Sequence, residues 1–567
     1  MSSAATADIR TTATVRRLSA LPWLLSLAAG VAGALALLPA QVLLGTSPFW
    51  DSPRGIVGGA WGDMLAASSG YVAFVRDCWR WPLFQVAGLG PNGANVLFTD
   101  SVPIVALLGR LLFQATGRVV PLYGLWSGLC VVGMGLTLTG LVRALGARSL
   151  AAAVVASVIG VSMPALIGRW GHLSLMAQAL LPLALAIYVR LRATPQPRAR
   201  TVFAWSSGMC IGSLLVHPYL FLMVGGIMTA AILQAGTDRR TPWQAAAAVL
   251  AGLAAVTGGG MLAMGYGTAS GAESDMGFGI YSANLLSPFL PYDVVLPSGA
   301  AYAMDGTGGQ YEGAAFVGFG VLLLMIVGWR SLAEYMAQGA RRHPWLLSVV
   351  TGFLVLAISN EVYLGSVHLL SIPLPKSVLW AAGIFRSSGR FAWLAMYLIA
   401  ALAIAAAAQR KQSGLILLLA AMIQCITVMP LRQKAWASAA GMPETVLDRA
   451  AWMSVLPGAD QLVVDPPFGC LPKEASSLPL IKAALELQLM ASQAGVPTNT
   501  LYASRTAPDC TVPRLNSRSL VAYLRPVMTR PDLTCWAGPL MTVCSALPLV
   551  LPASLVNITL EAERASP

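Results

Sequence analysis

Charge is what this chain has least of. Of its 567 residues, 10% are Asp, Glu, Lys or Arg, while 56% are hydrophobic and the mean hydropathy is +0.69. That balance excludes a soluble globule and points to a chain that crosses a bilayer several times. There is no Cys-x-x-Cys pair, which argues against a cysteine-built metal site. No glycine-rich stretch follows a strand and opens a helix. Gly258–Gly260 and Gly306–Gly309 fall at span ends or in loops, so neither is a nucleotide-binding fingerprint. No nucleic-acid-binding motif accompanies the pI of 9.6, and no internal repeat of fixed period is present.

What the sequence does have is apolar runs of spanning length. About eleven spans are expected. They lie near Ala20–Leu43, Pro121–Val142, Leu150–Val161, Leu173–Val189, Val202–Val216, Tyr219–Ala235, Trp243–Met264, Gly313–Gly328, Pro344–Ser359, Phe391–Ala408 and Gly414–Val428. The Ser101–Phe113 run is too short to span and reads as an interfacial or re-entrant helix. Residues 1–19 form a cytoplasmic N-terminus ahead of a signal-anchor-like first span, and residues 20–430 form the membrane domain.

Charge tests this layout. The loops assigned inside hold sixteen bases against three acids, the outer loops nine against ten, and the tail after Pro430 eleven against ten. The whole net charge of +13 therefore falls on one face, as cytoplasmic loops require. The basic pI reports membrane orientation and anionic lipid, not nucleic acid. The tail, residues 431–567, reads as a small α/β domain on the outer side. Gln461–Asp465 and Leu555–Leu560 are expected strands, and Leu478–Ala491 an amphipathic helix. Its cysteines, Cys470, Cys510, Cys535 and Cys544, allow up to two disulfides in any of three connectivities.

The candidate chemistry lies in four polar inserts on the outer face. Gly45–Val120 carries Asp51, Asp63 and Asp100, with Trp50, Trp61, Trp79 and Trp81. Ser162–His172 carries Arg169 and His172. Gly265–Glu312 carries Glu312, and Asn360–Arg390 carries Lys376, Arg386 and Arg390. Ionisable groups at the edge of a bilayer are costly to keep, so they mark a site of chemistry. A carboxylate can deprotonate an acceptor hydroxyl, and arginines with a lysine can hold a phosphate leaving group. Structural roles suit the same residues. Asp63 can cap the helix that runs to about Arg76 or pair with Arg54 or Arg76. Asp100, ahead of Pro103, can cap a helix start. Arg386 and Arg390 can snorkel, and the tryptophans can form an interfacial belt. His217 beside Pro218 reads as a helix-end histidine.

Five short segments carry a resemblance: Gly62–Asp63, Phe98–Pro103, Gly171–Leu173, Tyr311–Gly313 and Phe385–Phe391. With one span, a long acidic outer loop, further spans and a C-terminal outer domain, the chain resembles the GT-C superfamily of membrane glycosyltransferases. Within or near that group it looks most like an uncharacterised bacterial multi-pass family. The resemblance implies an α-helical polytopic fold and a hexosyl- or pentosyltransferase in the bacterial inner membrane. The donor would be a polyprenyl-phosphate-linked sugar, and the acceptor an envelope glycan, lipid or protein. It also implies Asp63 as general base, with Asp51 as runner-up, and Arg169, His172, Glu312, Lys376, Arg386, Arg390 and Asp100 around the substrate. The first outer loop lacks the paired acids of a metal site. A metal-independent transfer is therefore favoured over one using Mg or Mn. A transporter or flippase, or a scaffold subunit of an envelope polysaccharide system, is the alternative function.

Overall fold

The apolar runs become helices whose ends carry recognisable signals. The computed structural model describes the chain except residues 1–2, 48–49, 51–62, 270–276, 296–300, 411, 441–444, 473, 526–532, 546–551 and 559–567. Proline opens the helices Pro103–Thr116, Pro218–Thr237 and Pro344–Ile358, where its missing N–H satisfies no ladder bond anyway. The Ser149 hydroxyl caps Leu150–Val161 by accepting from the Ala152 N–H.

Among the described residues, seven helical stretches are long and apolar enough to cross a bilayer. They are Ala20–Leu37, Tyr123–Ala144, Leu150–Ile167, Leu173–Ala193, Pro218–Thr237, Trp243–Met264 and Ser388–Ala407. Two bent pairs raise the number to nine at most: Phe319–Val327 with Trp329–Arg342 at 86°, and Ser413–Thr427 with Met429–Ala440 at 45°. The chain is thus a polytopic helical membrane protein, with fewer clear spans than the eleven expected. Two expected spans form the helices Ala199–Leu214 and Pro344–Ile358, of 16 and 15 residues. At about 1.5 Å per residue these are shorter than the roughly 30 Å hydrocarbon layer. The short run after Phe98 folds as the 14-residue helix Pro103–Thr116, also too short to span.

The loops sort by charge. Arg192 pairs with Asp238 and donates to the Arg342 carbonyl at 3.1 Å, while Arg240 reaches the Thr194 carbonyl at 3.1 Å. These residues close Leu173–Ala193, Pro218–Thr237 and Trp329–Arg342, so three loops meet at one end of the bundle. His172 and His217 open the first two of these spans from the opposite end.

The tail folds around a four-stranded sheet in the order Gln461–Asp465, Ser519–Tyr523, Thr542–Ser545, Thr534–Ala537. The first pair is parallel and the others antiparallel. Helix Leu478–Ala494 covers it, burying Leu487, Met490 and Trp452 in a core of its own. The strand expected at Leu555–Leu560 is replaced over Ala553–Val556 by a single 3₁₀ turn, consistent with its imperfect alternation. Disulfides join Cys470 to Cys510 and Cys535 to Cys544, the latter pair facing each other across neighbouring strands.

This domain is not a free appendage. Leu485 and Leu489 of its helix pack on Leu65 of the helix Asp63–Arg76, and the Thr498 N–H donates to the Gly88 carbonyl at 3.0 Å. The first long loop and the tail therefore form one body. Leu65→Ala should cost about 2–5 kcal/mol of stability, the usual loss for a buried Leu truncated to Ala. Denaturant titration of the purified protein measures it. An unchanged midpoint would show that the tail does not dock through this contact.

Candidate functional site

Asp63 is the first residue of its helix, where a carboxylate suits the positive end of the helix dipole. Its side chain is turned to two other partners. One oxygen lies 3.2 Å from His172 Nδ1, and the other accepts the Tyr502 hydroxyl at 2.7 Å. The Arg76 pairing expected for Asp63 is thus replaced by His172; Arg54 and the runner-up Asp51 lie outside the described residues. Gly171, at a φ of 113°, makes the turn that delivers His172.

Asp100 does not cap the helix that follows. It sits in left-handed backbone (φ 62°) after the 3₁₀ turn Val96–Thr99, and Val102 is the residue that flanks Pro103. Freed from capping, the Asp100 carboxylate accepts the Ser174 hydroxyl at 3.2 Å and lies 3.7 Å from His217 Nε2. His217 Nδ1 accepts the Tyr219 N–H at 3.2 Å. The proton of the neutral ring therefore sits on Nε2, facing Asp100. Burial holds His217 down to about 4 despite the nearby carboxylate, so the ring is neutral at pH 7.

Glu312 is the centre of the second half of the site. It lies in the 3₁₀ turn Gln310–Gly313 and is 6% exposed. One of its oxygens receives Arg169 Nη1 at 2.6 Å, Arg390 Nε at 3.0 Å and Arg390 Nη2 at 2.9 Å. Arg169 Nη2 also donates to the carbonyls of Tyr311 and Glu312, at 3.0 and 2.8 Å. Burial alone would raise the Glu312 pKa, but the two guanidinium groups outweigh it and hold the carboxyl well below its usual range. Arg390 lies over the Tyr219 ring at 4.8 Å and Arg169 over Trp393 at 5.4 Å. Two glycines permit this packing. A Cβ on Gly389 would come within 2.5 Å of the Gly313 Cα, and one on Gly313 would overlap the Ser282 carbonyl.

Asp63 behaves oppositely. Burial pushes its pKa up, with Asp100 and Glu312 adding to the effect and His172 and Tyr502 opposing it. The site thus holds one acid pressed towards its charged form and another pressed towards its neutral form. Among the described residues no group of three or more His, Cys, Asp or Glu is placed to hold a metal ion.

The geometry brings together Asp63, Asp100, Arg169, His172, Glu312 and Arg390. Lys376, in the first turn of Lys376–Gly383, and Arg386, 5.9 Å from the Tyr281 ring, are both exposed and outside the buried triad. The sequence pattern undervalued His217 and missed Tyr219 and Tyr502. Tyr502 sits in an irregular stretch of the tail with no periodicity to flag it. Trp50, expected in an interfacial belt, is buried against Tyr123 and Trp170, whereas Trp79 and Trp81 are exposed.

Glu312→Gln should destabilise the protein by about 3–5 kcal/mol, because it strands two buried guanidinium groups without a counter-charge. Thermal or chemical unfolding of the variant checks this. A cost below about 1 kcal/mol, the level of an exposed pair, would show that solvent screens the triad.

All five segments of the resemblance contribute to this one site: Asp63 from the first, Asp100 from the second, His172 from the third, Glu312 from the fourth and Arg390 from the fifth. No curated protein matches the chain. A family model described as a domain of unknown function, DUF6311, matches residues 27–429, which takes in all of these residues. The chain belongs to that family.

Proposed function

We propose that this pocket is the transfer site of a membrane glycosyltransferase of GT-C type. It would move a sugar from a polyprenyl-phosphate carrier to a hydroxyl of an envelope glycan, lipid or protein. The observation that carries the reading is Asp63: a half-buried carboxylate with a raised pKa, paired with an imidazole, at the end of the spans opposite the arginine-rich loops. By the positive-inside bias that end is the outer face, where a lipid-linked donor replaces a nucleotide-sugar.

Asp63 takes the proton of the acceptor hydroxyl as its oxygen attacks the anomeric carbon. The bond from that carbon to the phosphate oxygen breaks, and the phosphate leaves with the electron pair. His172, with Nδ1 3.2 Å from the carboxylate, holds Asp63 in place. Two arginines on one glutamate leave the Arg169–Glu312–Arg390 group with a formal charge of +1, which favours the departing phosphate. Exposed Arg386 and Lys376 draw the anionic headgroup towards it. The scheme uses the chain's own groups for proton transfer and charge stabilisation.

Asp63→Asn should lower turnover by about 10²–10⁴-fold while leaving the fold and polyprenyl-phosphate binding intact. Envelope glycans from cells carrying the variant as sole copy, together with a binding titration on purified protein, read both. A transporter or scaffold would keep its output in this variant, and that result sinks the reading. The pH profile is a separate check. The base must be deprotonated, so the rate should fall as pH drops through a pKa above the ordinary carboxylate range. A rate flat down to pH about 4 would show that Asp63 is not the base.

A further inference from the structure

The two oxygens of Asp63 are already taken, one by His172 and the other by Tyr502 from the C-terminal domain. If Asp63 activates an acceptor hydroxyl, the acceptor needs the position that the Tyr502 hydroxyl now fills. We infer that Tyr502 marks the acceptor-hydroxyl subsite and that the strap carrying it, residues 501–509, is a gate that must lift before an acceptor binds. This inference rests on the proposed transfer reading for its substrate, though not for the gate itself.

The strap has the build of a movable element. From Asn499 to Asn516 the chain forms no helix or strand. Point contacts hold it over the pocket. The Tyr502 N–H donates to Gln488 Oε1 at 2.7 Å, the Ser504 N–H and hydroxyl reach the Phe98 carbonyl at 2.6 and 3.1 Å, and Arg505 donates to the Ile384 carbonyl. These contacts touch the first long loop and the segment before Arg386, so the strap bridges two of the segments that carry site residues. Arg505 is held at a φ of 61°, a left-handed conformation that costs a non-glycine residue energy and recurs in switch segments.

Both ends are anchored. Thr498 is bridged to Leu89 and Leu462, and Cys510 is bonded to Cys470. Between these anchors the strap can lift without leaving the domain. The Tyr502 ring rests on Phe468 at 4.6 Å, which gives an incoming sugar ring an aromatic surface once the hydroxyl position is vacated. An acceptor would therefore approach from the side of the C-terminal domain.

Carbodiimide coupling of glycine ethyl ester to the full-length protein, read by mass spectrometry, tests the gate without any sugar donor. Asp460, on the exposed surface of the same domain, is the internal standard. Tyr502→Phe removes the hydroxyl and keeps the ring; Tyr502→Ala removes both. Labelling of Asp63 relative to Asp460 should rise by about tenfold or more in each, the population shift expected when a charge-assisted bond is lost. The Cys470→Ser/Cys510→Ser pair frees one anchor and should raise Asp63 labelling while leaving Asp460 unchanged. Wild-type labelling of Asp63 in the Tyr502→Phe protein would overturn the gate. So would a rise at Asp460 matching that at Asp63, which marks general loosening. A gate that opens in a protein with no detectable glycosyl transfer would sink the transfer reading and leave the gate standing.

Discussion

Glu312 between Arg169 and Arg390 is the interaction on which the pocket depends. The three residues come from segments 143 and 78 positions apart, and one carboxylate oxygen takes donors from both arginines. Removing such charges from water is expensive, and the cost is recovered only where the donors are well directed and their remaining hydrogens are used. Arg169 meets that condition by spending its second nitrogen on two backbone carbonyls of the turn that carries Glu312. The charge pair therefore fixes the turn's backbone as well as its side chain. The abutting backbones at Gly313 and Gly389 follow from the same constraint, since Arg390 reaches Glu312 only if the two turns touch.

The spans decide where this happens. Leu173–Ala193 and Pro218–Thr237 begin at His172 and His217 and finish beside the Arg192–Asp238 pair. Twenty or so helical residues separate the two ends by about 30 Å. His172 and His217 meet carboxylates at one end, and Arg192 and Arg240 gather around Asp238 at the other. The helix Asp63–Arg76 then ties the pocket end to the C-terminal domain through Leu65, Leu485 and Leu489. The site is thereby flanked on one side by the ends of apolar helices and on another by a folded domain.

Much of this was legible in the sequence because the physics is local. Span-length apolar runs and prolines at helix starts each act within a few residues, and most span ends fall close to where the pattern puts them. The number of spans was less legible. Val202–Val216 and Pro344–Ser359 are apolar enough but too short as helices, and the bend between Val327 and Trp329 lies in no run that composition marks as broken. Asp63, His172, Glu312 and Arg390 were legible as outer-loop charges, but their pairings were not. Arg390 read as a phosphate ligand or a snorkelling anchor, whereas the structure commits it, together with Arg169, to Glu312. Local pattern also assigned Asp100 to a cap, because a residue before Ser-x-Pro is a good helix start. Its left-handed backbone instead sends the carboxylate to Ser174 and His217. Tyr502 was invisible, since it acts 439 residues from its partner and within an irregular strap.

Among the described residues the three acids of the site have been given different fates by their surroundings, and the proposed chemistry rests on that difference. Glu312 is saturated by two guanidinium groups and stays charged at any physiological pH, so it has no proton to exchange. Asp100 faces a hydroxyl and a neutral imidazole held in one tautomer by the Tyr219 N–H, an arrangement that orients the loop around it. Among the described residues Asp63 has no guanidinium partner, and its surroundings are not wholly aqueous. Burial and the two neighbouring carboxylates lift its pKa, while one imidazole and one phenol restrain it. The same two arginines that remove Glu312 from proton chemistry keep its charge close enough to help tune Asp63. In the proposed transfer reading this arrangement separates charge stabilisation from proton transfer, and among the described residues it gives the base role to Asp63.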